Sequence, residues 1–349
     1  MRFTKHSLAV AEHGYAVTSI SLLNTKCVLA AAEGDGPGLV FPASDLSPSV
    51  LTTEPGGCMG FAPVPGRSDE ILMITEFYPI FKSETAGIHL YRATDGFTVP
   101  WSGKRVIDLP FVHRIATVSV AGHGYLVAAT VCGGKDFRDD WSKPGKVYVA
   151  RIPDERDGEW IVTPVIEGIH KNHGMNVGTY KGRQTVFISG AEGVFALLVP
   201  TNEGGEWISE RVIDREISEV FSFDLDGDGV DELAVIEPFH GETMAVYKQS
   251  EDGWQQVFAA PLGFGHGLWA GSLAGESVVL VGDRAGTKNL CCFRVRSSSL
   301  FEMEEIVIDA GSGTTNVAVV DLADGQAVVA SNPGHGEYAL YSVEQGEDS

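Results

Sequence analysis

Short apolar stretches alternate with polar, glycine-rich turns along the whole chain. Their length and their Val, Ile and Phe content read as strands, with almost no helix. Residues 217–248 (ISEVFSFDLDGDGVDELAVIEPFHGETMAVYK), 264–295 (FGHGLWAGSLAGESVVLVGDRAGTKNLCCFRV) and 312–343 (SGTTNVAVVDLADGQAVVASNPGHGEYALYSV) share one grammar. A short strand leads to a polar turn, an apolar strand, a Gly-containing loop and a third strand. The same order recurs at 173–199, 113–150, 58–92 and 13–41. First strands start near residues 13, 58, 113, 173, 218, 266 and 314, and a more variable fourth strand follows, as at 207–213 and 255–260. Seven four-stranded units at this period predict an all-β, seven-bladed propeller. The segment RFTKHSLAV stands outside any complete unit, and the last unit lacks a fourth strand. Pairing residues 2–10 with the last blade would close the ring and remove an exposed edge. No linker divides the chain, so a single domain over 1–349 is expected.

In such a ring the first strand (A) of each blade runs nearest the axis. The loops leading into it, and those between the second and third strands (B and C), open on one face. Those positions hold His13, Met59, His113, His173, Glu219, His266 and Thr315, then Glu33, Asp35, Glu76, Tyr78, Lys135, Asp136, Arg138, Asp139, Glu192, Glu237, His240, Asp283, Arg284, Lys288, Asn332, His335 and Glu337. Seven of the ten histidines gather there, counting His170. Four precede a glycine, at 173, 240, 266 and 335. Glycine keeps the backbone slim where imidazoles crowd an axis.

Converging neutral imidazoles suit a divalent transition ion, Zn, Mn, Fe or Ni. His113, His173 and His266 are the expected ligands, with Glu237, His240 or His335 as a fourth. The long loop CGGKDFRDDWSKPG at 132–145 offers Lys135 and Asp136. A second, EFYPIFKSETAG at 76–87, offers Tyr78, Phe81 and Lys82 for stacking on a sugar. Loops longer than the repeat needs are often functional.

A different motif, DLDGDGVDE at 224–232, places Asp224, Asp226 and Asp228 at alternate positions with Glu232 beyond. With the Val230 carbonyl these groups suit structural Ca²⁺. The turn joins strands A and B of blade five, on the face away from the funnel.

The net charge of −22 argues against nucleic acid and anionic lipid as partners. No apolar run is long enough to span a membrane. The basic N-terminus is not followed by one either, so neither a signal peptide nor a secreted protein is expected. Cys27, Cys58, Cys132, Cys291 and Cys292 lack a framework spacing and suit reduced thiols in a cytoplasm.

DLDGDGVDELAVIE resembles the FG-GAP/VCBS type of propeller repeat. With HKNHGMN at 170–176, FGHGLW at 264–269 and the 132–145 loop, the chain resembles the propeller domain of aldos-2-ulose dehydratases and their bacterial relatives. That resemblance implies a metal-assisted carbon–oxygen lyase, dehydratase or isomerase, acting on a keto-sugar or similar small carbohydrate. The metal would polarise the carbonyl, and His240, His335 or Tyr78 would remove the adjacent proton. Lys135, Asp136 or Arg138 would orient hydroxyls. The alternative is a non-enzymatic binding or interaction module, since fold alone does not give function.

Overall fold

The computed structural model describes residues 1–79, 83–298 and 301–345. They form seven four-stranded antiparallel sheets, with a short 3-10 turn at Ser83–Thr85 as the only helical element among the described residues. Each sheet is one blade. Strand A runs over Gly14–Leu22, Gly60–Val64, Val112–Val120, Gly174–Tyr180, Glu219–Phe223, Gly265–Leu273 and Asn316–Leu322 in blades one to seven. Every start lies within about two residues of the position expected from the repeat.

The ring closes as the sequence predicts. Arg2–Val10 pairs antiparallel with Glu337–Glu344 and supplies the fourth strand of blade seven. Phe3 and Leu8 pack into the clusters flanking that blade. Lys5 bridges Asp309 at 2.8 Å and Glu337 at 2.6 Å.

The core lies between blades rather than inside any one of them. One cluster joins blades three and four, others join four to five and six to seven. Strand B is covered on both faces, so it reads as a continuous apolar run. In Arg67–Thr75 the last six residues are all buried. Strand D faces solvent on one side, and Gly253–Pro261 alternates accordingly. These differences in burial explain why the middle strands are easy to find in the sequence and the outer ones variable. All five cysteines are buried free thiols. No helix of the described residues is long and apolar enough to cross a membrane.

Candidate functional site

The loops into strand A and the B–C loops converge on one cavity of about 460 Å³. Its floor is a set of four histidines. Two of them, His113 and His266, sit at irregularities in the A–B ladder, where the register shifts between Val112 and Arg114 and between Gly265 and Gly267. Tyr15 occupies the same kind of position in blade one, between Gly14 and Ala16. A bulge re-aims one side chain without disturbing the rest of the strand. Here it turns three rings towards the axis.

His173 immediately precedes strand A of blade four. Gly174 lets blade five close against it, because a Cβ there would meet Glu219 Cα at 2.8 Å. His240 comes from the B–C loop of blade five with a left-handed backbone, φ 48°. A non-glycine residue in that region costs about 1 kcal/mol or more and clusters at functional sites. The conformation places the His240 ring on Phe239 (4.0 Å between centroids) and over His266 (5.1 Å).

His173, His240 and His266 each bring a ring nitrogen within 4.8 Å of the others. Their partners set the tautomers. His266 Nδ1 donates to the Thr315 carbonyl at 2.7 Å, which leaves its Nε2 lone pair free. His173 Nδ1 lies 2.6 Å from a Glu219 carboxylate oxygen, although off the hydrogen-bond axis. That carboxylate favours a proton on Nδ1 and frees Nε2, which faces His240 Nε2 at 3.2 Å. A carboxylate or carbonyl behind the imidazole is how metal-binding histidines are commonly oriented. Arg114 donates to the same Glu219 oxygen, Oε1, at 2.7 Å.

Burial depresses all four histidines, aided by the Arg114 guanidinium at His113 and His173 and by the Arg284 guanidinium at the other two. His240 falls to about 4. The cluster is therefore neutral at physiological pH, as ligation requires. The same shift makes the metal-free fold acid-sensitive. A histidine held neutral in the fold takes up a proton on unfolding once the pH is below about 6.5, so its contribution is complete above that pH and lost towards pH 4. Urea midpoints of the EDTA-dialysed protein are expected to hold from pH 7.5 to about pH 6.5 and then to fall towards pH 5. The fall should be shallower in His266→Gln, and a flat native profile would contradict the assignment.

The structure separates the residues selected from the sequence. His113 belongs to the floor but not to the triad. Its Nδ1 accepts from Arg114 at 3.0 Å, which puts the proton on Nε2, facing Tyr15 Oη at 3.3 Å. Both of its nitrogens are thereby engaged. Glu237 points elsewhere: it accepts from Tyr247 Oη at 2.9 Å and pairs with Arg215 at 3.6 Å. Glu219 is the carboxylate at the triad. His335 sits against Ala310 and Asp309, apart from the cavity. Tyr78 is half exposed and does not line it. Asp136 pairs with Lys143 at 2.7 Å on the loop's outer side, whereas Lys135 does line the cavity. Phe81 and Lys82 lie outside the described residues. Blade one presents Tyr15, with His13 exposed.

Sequence reasoning missed Tyr15, Arg114, Trp141, Phe239 and Phe264. Each lay close to a position the sequence singled out: Arg114 follows His113, Phe239 precedes His240, Tyr15 and Phe264 stand two residues from His13 and His266, and Trp141 belongs to the 132–145 loop.

On the opposite face, Asp224, Asp226 and Glu232 lie together. The Lys248 ammonium stands among them, contacting Asp226, Asp228 at 2.7 Å and Glu232 at 3.2 Å. Asp224 accepts from the backbone amides of Gly227, Asp228 and Gly229. The Val230 amide donates to Asp228 at 2.9 Å. A calcium ion here would have to displace that ammonium.

No protein-family model matches the chain, and no curated protein does. The FG-GAP/VCBS and dehydratase resemblance therefore rests on the sequence motifs alone. Solved structures do match. The β-propeller domain of Cps50 (Swd1) from Myceliophteria thermophila aligns over 98% of this chain and 100% of its own, with a TM-score of 0.62 at 10% identity. Saccharomyces cerevisiae Sqt1 aligns over 99% of both chains, with a TM-score of 0.58 at 9% identity. The SapL1 lectin, solved with α-methyl fucoside, aligns over 87% of this chain and 98% of its own, with a TM-score of 0.51 at 11% identity. At such identities the likeness establishes the propeller fold and nothing finer.

Proposed function

We propose that this chain is a ligand-binding propeller whose working site is the funnel above His173, His240 and His266, and that the triad holds a divalent transition metal. The carrying observation is three neutral imidazoles with converging nitrogens, two of them buried and one half-buried, with an oxygen close behind His173 and His266. Such a donor set fits Zn, Mn, Fe or Ni better than a hard alkaline-earth ion. In blade five, by contrast, we propose that Lys248 serves as the resident cation.

A bound ion would supply Lewis acidity towards a ligand oxygen. The chain's own residues do the rest. The aromatic walls, Phe77, Trp141, Phe239 and Phe264, exclude water and offer flat faces to a small ring compound. Tyr15 accepts from His113 Nε2, so its own hydroxyl proton is free to donate into the cavity.

Binding without turnover is the reading the fold relatives accommodate most readily. Turnover as a carbon–oxygen lyase on a keto-sugar is the second reading. It is favoured by the Tyr15–His113–Arg114 line, which places a proton-carrying pair beside the triad. The two are separated by incubating Zn²⁺- or Mn²⁺-loaded protein with a panel of keto-sugars. Appearance of an unsaturated carbonyl product that depends on metal and is lost in Tyr15→Phe supports the lyase. Saturable binding with no product supports the binding module. Neither binding nor product with the metal-loaded protein contradicts the funnel assignment.

A further inference from the structure

The funnel inverts the charge of the molecule. The chain carries 47 acidic and 25 basic residues, yet the cavity wall has three cations, Lys135, Arg138 and Arg284, against two carboxylates, Glu33 and Asp139. Glu33 is already paired with Arg284 at 3.3 Å. Asp139 is exposed.

Lys135 is the informative one. It is half-buried on the 132–145 loop, and its ammonium pairs with no carboxylate among the described residues. Its Nζ donates to the Arg138 carbonyl at 2.9 Å and stands 3.3 Å from the centroid of the Trp141 ring. Trp141 meets Phe239 at 5.3 Å, and Phe239 stacks on His240. The loop under it is fixed: the buried Asp140 carboxylate accepts from the backbone amides of Asp136 and Ser142 and from the Ser142 hydroxyl. Burial lowers the Lys135 pKa, and the fields of Asp139 and Asp140 oppose that shift only in part. On a surface crowded with carboxylates, such a lysine would ordinarily find a partner. This one is held on an aromatic face, directed at the cavity, one aromatic stack away from the triad. A cleft lined by one sign of charge between low-dielectric walls concentrates ligands of the other sign.

We propose that the funnel's ligand carries an oxyanion, a carboxylate or a phosphate, which Lys135 receives while the rest of the ligand lies over His173, His240 and His266. This rests on the funnel being the working site and adds the class of ligand it takes. Arg284 contributes to the field, and Trp141 fixes where the ammonium sits. A net negative surface outside then repels anionic macromolecules while the funnel admits small anions.

The test uses the full chain, both EDTA-dialysed and Zn²⁺-loaded, with tryptophan fluorescence as the readout. The probes are inorganic phosphate, D-galacturonate and the neutral D-galactose. At least one anion is expected to bind ten-fold or more tighter than galactose and to weaken with added salt. Lys135→Gln should abolish that preference, and Lys135→Arg should keep it. Phosphate binding without galacturonate binding assigns a phosphate ligand, and the reverse assigns a carboxylate. Equal binding of galactose and both anions, unaltered anion binding in Lys135→Gln, or no anion binding in either form overturns the proposal. Lys135-dependent anion binding by a chain that takes up no Zn²⁺ sustains it and overturns the metal triad instead.

Discussion

Arg114→Met is expected to lower the melting temperature by roughly 4–7 °C, and adding Glu219→Gln should return most of it. Arg114 and Glu219 have side chains only 14% and 11% exposed and meet at 2.7 Å near the axis. Removing one partner of such a pair leaves a desolvated charge and costs about 3–5 kcal/mol, whereas neutralising both can be nearly free. A cost of that size corresponds to a shift of several degrees in a domain of this class. The pair also controls the site. Without Arg114, the Glu219 carboxylate faces His173 unopposed, and the pKa of that histidine rises. Calorimetry of the native, single and double variants measures the first effect. Metal uptake at pH 6, weaker in Arg114→Met than at pH 7.5, measures the second. A single variant as stable as the native protein would show that the pair is solvated and does not position His173.

The ring itself was legible in the sequence because each blade repeats one order of turns and strands. Burial of strand B on both faces makes that order conspicuous, and the missing fourth strand at one end matched the spare one at the other. The convergence of His173, His240 and His266 was legible too, since blade order alone puts those loops on one face. What the repeat could not supply was the direction of single side chains. Tyr15 replaces His13 at the axis because a bulge lies between Gly14 and Ala16. Glu219 and Glu237 both belong to blade five, and they are near neighbours across the ladder, where Glu219 pairs with Ile236. Which of them meets a histidine depends on partners brought together by the ring: Arg114 of blade three and His173 of blade four reach Glu219, while Tyr247 of the same blade and Arg215 take Glu237. Lys248 was invisible as a partner of the acidic turn because it lies on strand C, 22 residues after Asp226. The register that pairs Leu233 with Tyr247 brings it beside Glu232. Lys135 was visible, but its want of a carboxylate was not, because ion pairing depends on how the 132–145 loop folds back on Asp140.

The second large effect concerns the metal. His173 and His266 are almost fully buried; His266 is oriented by the Thr315 carbonyl on its other nitrogen, and His173 has the Glu219 carboxylate 2.6 Å from its Nδ1. Losing only such an orienting partner typically lowers metal affinity ten- to hundred-fold. Losing one of three ligands outright should cost at least about 100-fold, enough to empty the site on dialysis. His335 is a suitable control, because it also precedes a glycine on the same face yet contacts Ala310 and Asp309 rather than the triad.

The decisive measurement is elemental analysis of the native, His173→Ala and His335→Ala proteins after loading with Zn²⁺ and exhaustive dialysis, with folding checked by circular dichroism. Close to one zinc per chain in the native protein and in His335→Ala, with less than a tenth of that in His173→Ala, is the predicted result. A native protein that retains no zinc, or a folded His173→Ala protein that retains as much as the native, would contradict a metal centre in the funnel.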